Sequence, residues 1–371
     1  MKRLIIAVCI FCLNIHPLFA NSQENQEELI QIALLLDTSN SMDGLINQAK
    51  SQLWKIVNEF ALARKNGKIP PLQIALYEYG NNSIPADVGY IRQVLGLTTD
   101  LDRISEELFQ LKTNGGDEYC GEVIKKATKD LQWSTKNNVL KIIFIAGNEP
   151  FTQGSYSYQK SCKEASTKGI IINTIFCGNR DEGIRTNWKD GADLADGAYS
   201  NIDQNQQITY ISAPQDDEIN RLGQELNKTY LGYGVRGKEA KALQSAQDAN
   251  AASVASEVLV QRSAAKASAQ YSNEQWDLVD AAKKDPSIVT KLETEQLPEE
   301  MRTMKGDERN KYIDDKYKKR KEIQSSINKL NDERRKYVEE EQKKNSKDNT
   351  LDKAMMSAIR KQAQKRNYSF E

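Results

Sequence analysis

Asp37, Ser39 and Ser41 are the residues of this 371-residue chain best placed to do chemistry. They follow an aliphatic run, Leu29 to Leu36, in which Gln31 is the one polar position. In extended backbone, alternate side chains point the same way. A carboxylate and two hydroxyls therefore converge just past the strand's carboxyl end, where open α/β sheets place their ligands. An oxygen-only set with room for water suits Mg²⁺, Mn²⁺ or Ca²⁺ and not zinc. Composition excludes other chemistries. The one histidine, His16, falls in an N-terminal leader, so the processed chain has no Ser-His-Asp or Cys-His machinery and no histidine zinc site. No nucleophile–base pair remains, and the expectation is a protein that is not an enzyme. Lys and Arg total 52, as do Asp and Glu, so net charge favours neither nucleic acid nor an acidic surface as partner.

The elements that must position these residues alternate between strand and helix from about residue 28 to 233. Strand candidates are Leu29–Leu36, Leu72–Tyr79, Gly89–Val94, Val139–Ala146, Ile170–Cys177 and either Tyr199–Ile202 or Thr209–Ile211. Between them apolar residues recur at helical spacing: Leu45, Ala49, Leu53 and Ile56 in one stripe, Ile104, Leu108 and Leu111 in another, Val123, Ile124, Ala127 and Leu131 in a third. Ser212-Ala-Pro-Gln215 has the form of a capping box before the last helix of this region. Such alternation predicts an α/β fold, a mostly parallel sheet covered on both faces.

With these elements, Asp-x-Ser-x-Ser at Asp37, Ser39 and Ser41 resembles the opening of the metal-ion-dependent adhesion site of the von Willebrand factor A family. The resemblance covers residues 28–233 and implies a doubly wound, mostly parallel six-stranded sheet. Gly191 to Tyr199 resembles that family's last helix running into an aromatic strand. The family's second loop supplies a threonine; here the stretch Thr113 to Glu122 has Asp117 at about that place, similar to a Gly-Gly-Asp variant. The third loop supplies an aspartate, and here Gly147 stands at the expected position. The implied metal ligands are Asp37, Ser39, Ser41 and Asp117. Glu118, Asn148, Glu149 and Phe151 would form an outer shell or ligand rim. The alternative is a vestigial loop whose oxygens only cap local backbone groups.

Around this region, Lys2, Arg3 and the apolar stretch Leu4 to Leu13 read as a signal peptide over residues 1–20, giving an exported product, periplasmic in a bacterium or secreted. No later run is long and apolar enough to span a bilayer. Cys120, Cys162 and Cys177 remain; Cys162 and Cys177 flank one helix-to-strand connection and are the preferred disulfide, with three buried thiols as the other outcome. Asn81 and Asn227 head glycosylation sequons. Gly232 to Gly237 reads as a flexible hinge, followed by an Ala-rich helical extension over 234–306 with Trp276, Leu278 and Val279 as an apolar anchor. Residues 307–345 form a charged helix, in a coiled coil, a hairpin or singly solvated, whose register slips near Arg320. Residues 346–371 read as a loosely ordered tail with a short helix near Leu351–Arg360.

The resemblance implies an exported module that binds a protein partner, one presenting an acidic residue to the cation, with self-association through the C-terminal helices. The alternative is a structural scaffold with a vestigial metal site, in which the helical tail makes the main contacts.

Overall fold

The structure is a computed structural model that describes residues 28–205, 210–344 and 351–370. The leader with Cys9, Cys12 and His16 lies outside these residues, as does Thr209 of the alternative last strand.

The apolar runs become strands: β1 (Ile30–Asp37), β2 (Ala63–Arg64), β3 (Leu72–Tyr79), β4 (Ile91–Thr98), β5 (Leu140–Gly147), β6 (Ile170–Cys177), β7 (Tyr199–Ile202) and β8 (Ser369–Phe370). Six of them form one sheet in the order β4-β3-β1-β5-β6-β7, parallel except for the β3–β4 pair. The first seven helices are α1 (Asp43–Ala61), α2 (Leu101–Gln110), α3 (Cys120–Asp130), α4 (Tyr158–Thr167), α5 (Arg180–Arg185), α6 (Trp188–Asp193) and α7 (Asp216–Asn227). Strand alternation feeds two cores. Ile30, Ile32, Leu34 and Leu36 pack with α1, α2 and α7 on one face, and Ala33 and Leu35 with α3, α4 and Trp188 on the other. The expected α/β sandwich is therefore present, with β1 central and its last residue, Asp37, opposite Tyr79.

Two helix-level expectations differ from the structure. No capping box opens α7: Ser212 bonds Glu257 instead, and the Asp216 carboxylate accepts the Ala213 N–H at 3.0 Å. The Gly232–Gly237 stretch is no loose hinge. Gly232 and Gly237 approach so closely that a Cβ on the former would lie 2.5 Å from the latter's carbonyl oxygen, and Gly234 takes φ +67°. Tyr233 and Gly234 donate to Trp276 and Gln296 carbonyls, which ties the turn down.

The extension continues with α8 (Gly237–Val254), α9 (Ser256–Ala267), α10 (Leu278–Lys284), α11 (Ile288–Lys291), α12 (Gly306–Lys344) and α13 (Leu351–Gln364). It is no appended rod, because it completes the core on the α1 face through Val258, Val260, Ile323, Ile327, Met355 and Ile359. The charged segment is a single long helix that lies on α7, α9 and α10 of its own chain. Its register slips at Arg320 because that side chain is itself buried, bonded to Asp277 and Asp280 at 2.6 Å and to the Thr229 carbonyl at 2.7 Å. The final segment is likewise packed: the Tyr368 hydroxyl donates to the Leu29 carbonyl at 3.2 Å, and β8 pairs with β2. Trp276 anchors against Tyr230 with ring centroids 5.8 Å apart. No helix among the described residues is long and apolar enough to cross a membrane.

Cys120, Cys162 and Cys177 are buried and free. Cys162 packs in the α3–α4 core and Cys177 in the α1 core, so the sheet separates them and disulfide geometry is out of reach. Both sequon asparagines are occupied by the fold. Asn81 is buried and bonds Thr38, and Asn227 bonds Asp248 and Lys266.

Candidate functional site

Asp37 ends β1 fully buried. Its Oδ1 accepts the Ser39 N–H at 2.7 Å, while Oδ2 is buried without a hydrogen-bond partner. The Ser39 and Ser41 hydroxyls stand 3.3 Å apart, and the Asn148 amide donates to Ser41 Oγ at 3.1 Å. Asn148 Oδ1 is a second buried acceptor with no partner. The predicted convergence of Asp37, Ser39 and Ser41 is what the backbone produces, with Ser41 exposed at the surface.

The second carboxyl beside Asp37 belongs to Glu118 and not to Asp117. Asp117 is exposed and accepts the Tyr119 hydroxyl at 3.1 Å. Glu118 is buried, and a Cβ at Gly80 would touch both its Cγ, at 2.7 Å, and Asp37 Oδ1, at 3.0 Å. The loop turns Glu118 inward because its N–H donates to Gln153 Oε1 at 2.8 Å and because Gly116 lies against the Gly80 carbonyl. Burial pushes the Asp37 carboxyl up to about 6, against the hydrogen bonds from Glu118 and Ser39. Burial first, and then the bond and charge of Asp37, push Glu118 up to about 10. Two carboxyls facing each other in a dry site hold a proton between them.

The third loop shows why Gly147 replaces a carboxylate. A Cβ there would sit 2.5 Å from the Tyr79 hydroxyl and 2.9 Å from Asp37 Oδ2. Tyr79 comes from β3, two strands away beyond β1, is fully buried, and its hydroxyl donates to the Ala146 carbonyl at 2.9 Å. Tyr79 thus fills the space into which a third-loop side chain would point. Of the other expected rim residues, Glu149 is half-buried and its carbonyl accepts the Trp188 indole N–H at 2.8 Å. Phe151 is not on the rim: it is wholly buried, its ring centroid 4.8 Å from that of Trp188 and 5.2 Å from that of Tyr158, because burying a large aromatic among other rings outweighs leaving it at the surface.

Tyr79, Gly80 and Asn81 had no sequence signal as site residues. Asn81 ties the loops together, its amide donating to Lys112 O at 2.8 Å and to the Thr38 hydroxyl at 3.3 Å. The Asn82 N–H bonds Gly115 O, and the Asn114 N–H bonds Thr38 O. A tyrosine closing the strand Leu72–Tyr79, followed by Gly-Asn-Asn, is the nearest thing to a hint.

Among the described residues no three carboxylates, thiols or histidines gather as a metal cluster. The donor set at Asp37 is two carboxyls and two hydroxyls, all hard oxygens, with one carboxylate oxygen left without a partner. That chemistry fits a divalent cation completed by water.

Residues 31–187 match the family model described as the von Willebrand factor type A domain. No curated protein matches the chain. Similar solved structures include the conserved hypothetical protein BatB from Bacteroides thetaiotaomicron, at 17% identity and TM-score 0.35, covering 47% of this chain and 90% of that one. The SpRpn10 VWA domain is similar at 15% identity and TM-score 0.37, with 48% and 90% covered. An aerotolerance-related membrane protein from Bacteroides fragilis NCTC 9343 is similar at 15% identity and TM-score 0.33, with 47% and 92% covered.

Proposed function

We propose that this chain, whose residues 31–187 are a von Willebrand factor type A domain, is an exported module that binds a protein partner through a divalent cation at the carboxyl end of its sheet. Domains of this family are in general non-enzymatic and bind other proteins. The observation that carries the cation is the unpartnered Asp37 Oδ2 in a buried cluster of two carboxyls. Asp37, Ser39, Ser41 and Glu118 would hold it. When bound, it would offer an open coordination position to a carboxylate of the partner, an attachment strengthened by partial desolvation. The chain's own part is to keep Asp37 oriented through the Ser39 N–H and to hold Ser41 through Asn148. Asp117, exposed beside the site, belongs to the rim that a partner would meet. Export rests on the leader-like residues 1–20, and N-terminal sequencing of the cell-derived protein checks it: an intact Met1 sinks it.

The filled third loop favours one alternative, a scaffold in which Tyr79 has replaced the metal function and the helical extension makes the contacts. Calorimetric titration of the full chain with Mg²⁺, Mn²⁺ and Ca²⁺, beside Asp37→Asn and Glu118→Gln, separates the two. Binding in the parent that both variants lose is expected. Heat-silent titrations of a folded parent would leave the scaffold.

A further inference from the structure

We propose that the cleft between α12 and α1 is a docking slot for an acidic amphipathic helix of a partner protein. The cleft measures about 1250 Å³, above the roughly 300–1,000 Å³ of small-molecule pockets. One wall is a stripe of α12 at steps of three, four or seven: Lys321, Gln324, Asn328, Asn331, Arg335 and Gln342. At about 1.5 Å per residue, Lys321 to Gln342 spans roughly 30 Å, the length of a six-turn helix. The facing wall is the stripe Gln52, Lys55 and Asn58 on the second half of α1, with Leu62 just past its end. The floor is α9, where Val258, Gln261, Ala264 and Ala267 recur every third residue and let a backbone approach closely.

The long walls and floor are helices, which offer side chains but no strand edge along their length. An occupant must therefore satisfy its own backbone groups, which favours a helix over an extended segment. Charge selects its sign. Ten lining side chains are cationic and six acidic, in a chain of formal net charge zero. Four of these acids pair with cleft cations, Glu59 with Arg360, Asp280 with Arg320, Glu274 with Lys284 and Asp332 with Arg335, and Arg334 pairs with Asp216, so the positive excess lies in the other five cationic side chains against two acids. Lys283 and Lys321 both lie over the Tyr317 ring, at 5.5 and 5.9 Å, and present two exposed cations to an incoming carboxylate. On α12 itself, Asn331 Oδ1 and Arg335 Nε are buried without partners.

The test is fluorescence anisotropy of the full chain, in EDTA so that the cation face is silent, with two labelled 20-residue amphipathic peptides. Both carry Leu and Ala on one face; the other face is Glu in one and Lys in its twin. The Glu peptide is expected to bind at least tenfold more tightly, with affinity falling as salt rises. Gln324→Trp, which obstructs the wall, and the Lys321→Glu/Arg335→Glu double variant are each expected to lose at least tenfold with unchanged thermal melts. Equal binding of the twins, no binding by either, or binding that ignores both folded variants overturns the proposal. Sedimentation velocity covers the remaining occupant: a dimer broken by Gln324→Trp would mean that a second copy fills the slot, and a partner helix would be wrong.

Discussion

At the seam between α2 and the helical extension, Arg262 bonds Asp102 at 2.8 Å and Asp248 at 2.5 Å, and Lys266 bonds Asp248 at 2.8 Å. The Tyr271 hydroxyl completes the set on Asp102. At the carboxyl end of the sheet Asp37 meets Glu118, and the next charge acting on the pair is a third acid, Glu149. Both clusters are buried. In the first, opposite charges offset the cost of desolvation, and burial lowers Lys266 only to about 8. In the second no opposite charge does, and the hydrogen bonds from Ser39 offset burial only in part, so both carboxyls are raised. A compensated buried network positions parts of the fold, whereas the uncompensated one is where the proposed cation would be held.

The largest effect should come from breaking the compensated cluster. Arg262→Ala removes the one cation bonded to buried Asp102, leaving it the Tyr271 hydroxyl, leaves Asp248 with Lys266, and is expected to cost about 3–5 kcal/mol in denaturant unfolding. A loss below about 1 kcal/mol would mean the seam is held by packing alone, and the contrast would fail. Next comes Gly147→Asp, which adds the carboxylate that the third loop lacks. Tyr79 and Asp37 occupy the space, so a destabilisation of about 1–3 kcal/mol is expected, eased when Tyr79→Phe is combined with it. An unstrained Gly147→Asp protein would show that the filled loop is not what excludes the acid.

Glu118→Gln should weaken Mn²⁺ binding by about tenfold or more, which titration calorimetry measures. The pH dependence follows from the same pair. Both folded carboxyls are raised, so they keep a proton that the unfolded chain has already released. Their contribution to stability therefore declines as pH rises from about 4, through about 6 for Asp37 and on toward about 10 for Glu118. Without cation, the melting temperature should fall between pH 5 and pH 8 by more in the parent than in Asp37→Asn, and saturating Mn²⁺ should remove the difference. Identical pH profiles for parent and variant would show that the pair is not linked to folding. The smallest expected effect is that of Asp117→Asn, which should leave stability within about 0.5 kcal/mol. Its Mn²⁺ affinity should also be nearly unaltered. A large loss there would return Asp117 to the ligand set in place of Glu118.

Much of this molecule can be read locally. The strands β1, β5 and β6 are largely apolar runs long enough to be read as strands, and Asp37, Ser39 and Ser41 converge because a strand end and the turn after it set their directions. The neighbouring carboxyl escaped because Asp117 and Glu118 are adjacent in sequence. Which of two successive side chains turns inward depends on Gln153 and Gly80, 35 and 38 residues from Glu118. Phe151 was misplaced for a similar reason: following the third loop in sequence says nothing about the Trp188 pocket that captures it.

Alternation of apolar residues and the oxygen-donor types after β1 thus determined by themselves the sheet, its two covered faces and the end at which a ligand would bind. Those properties depend on backbone periodicity and on chemistry within one turn of the chain. Tertiary structure alone decided that Glu118 partners Asp37, that Tyr79 fills the third loop, that Cys162 and Cys177 lie on opposite faces, and that the final helix closes the core. Each is set by contacts between segments distant in sequence, where packing and the pairing of buried charge choose among side chains that local pattern leaves equivalent.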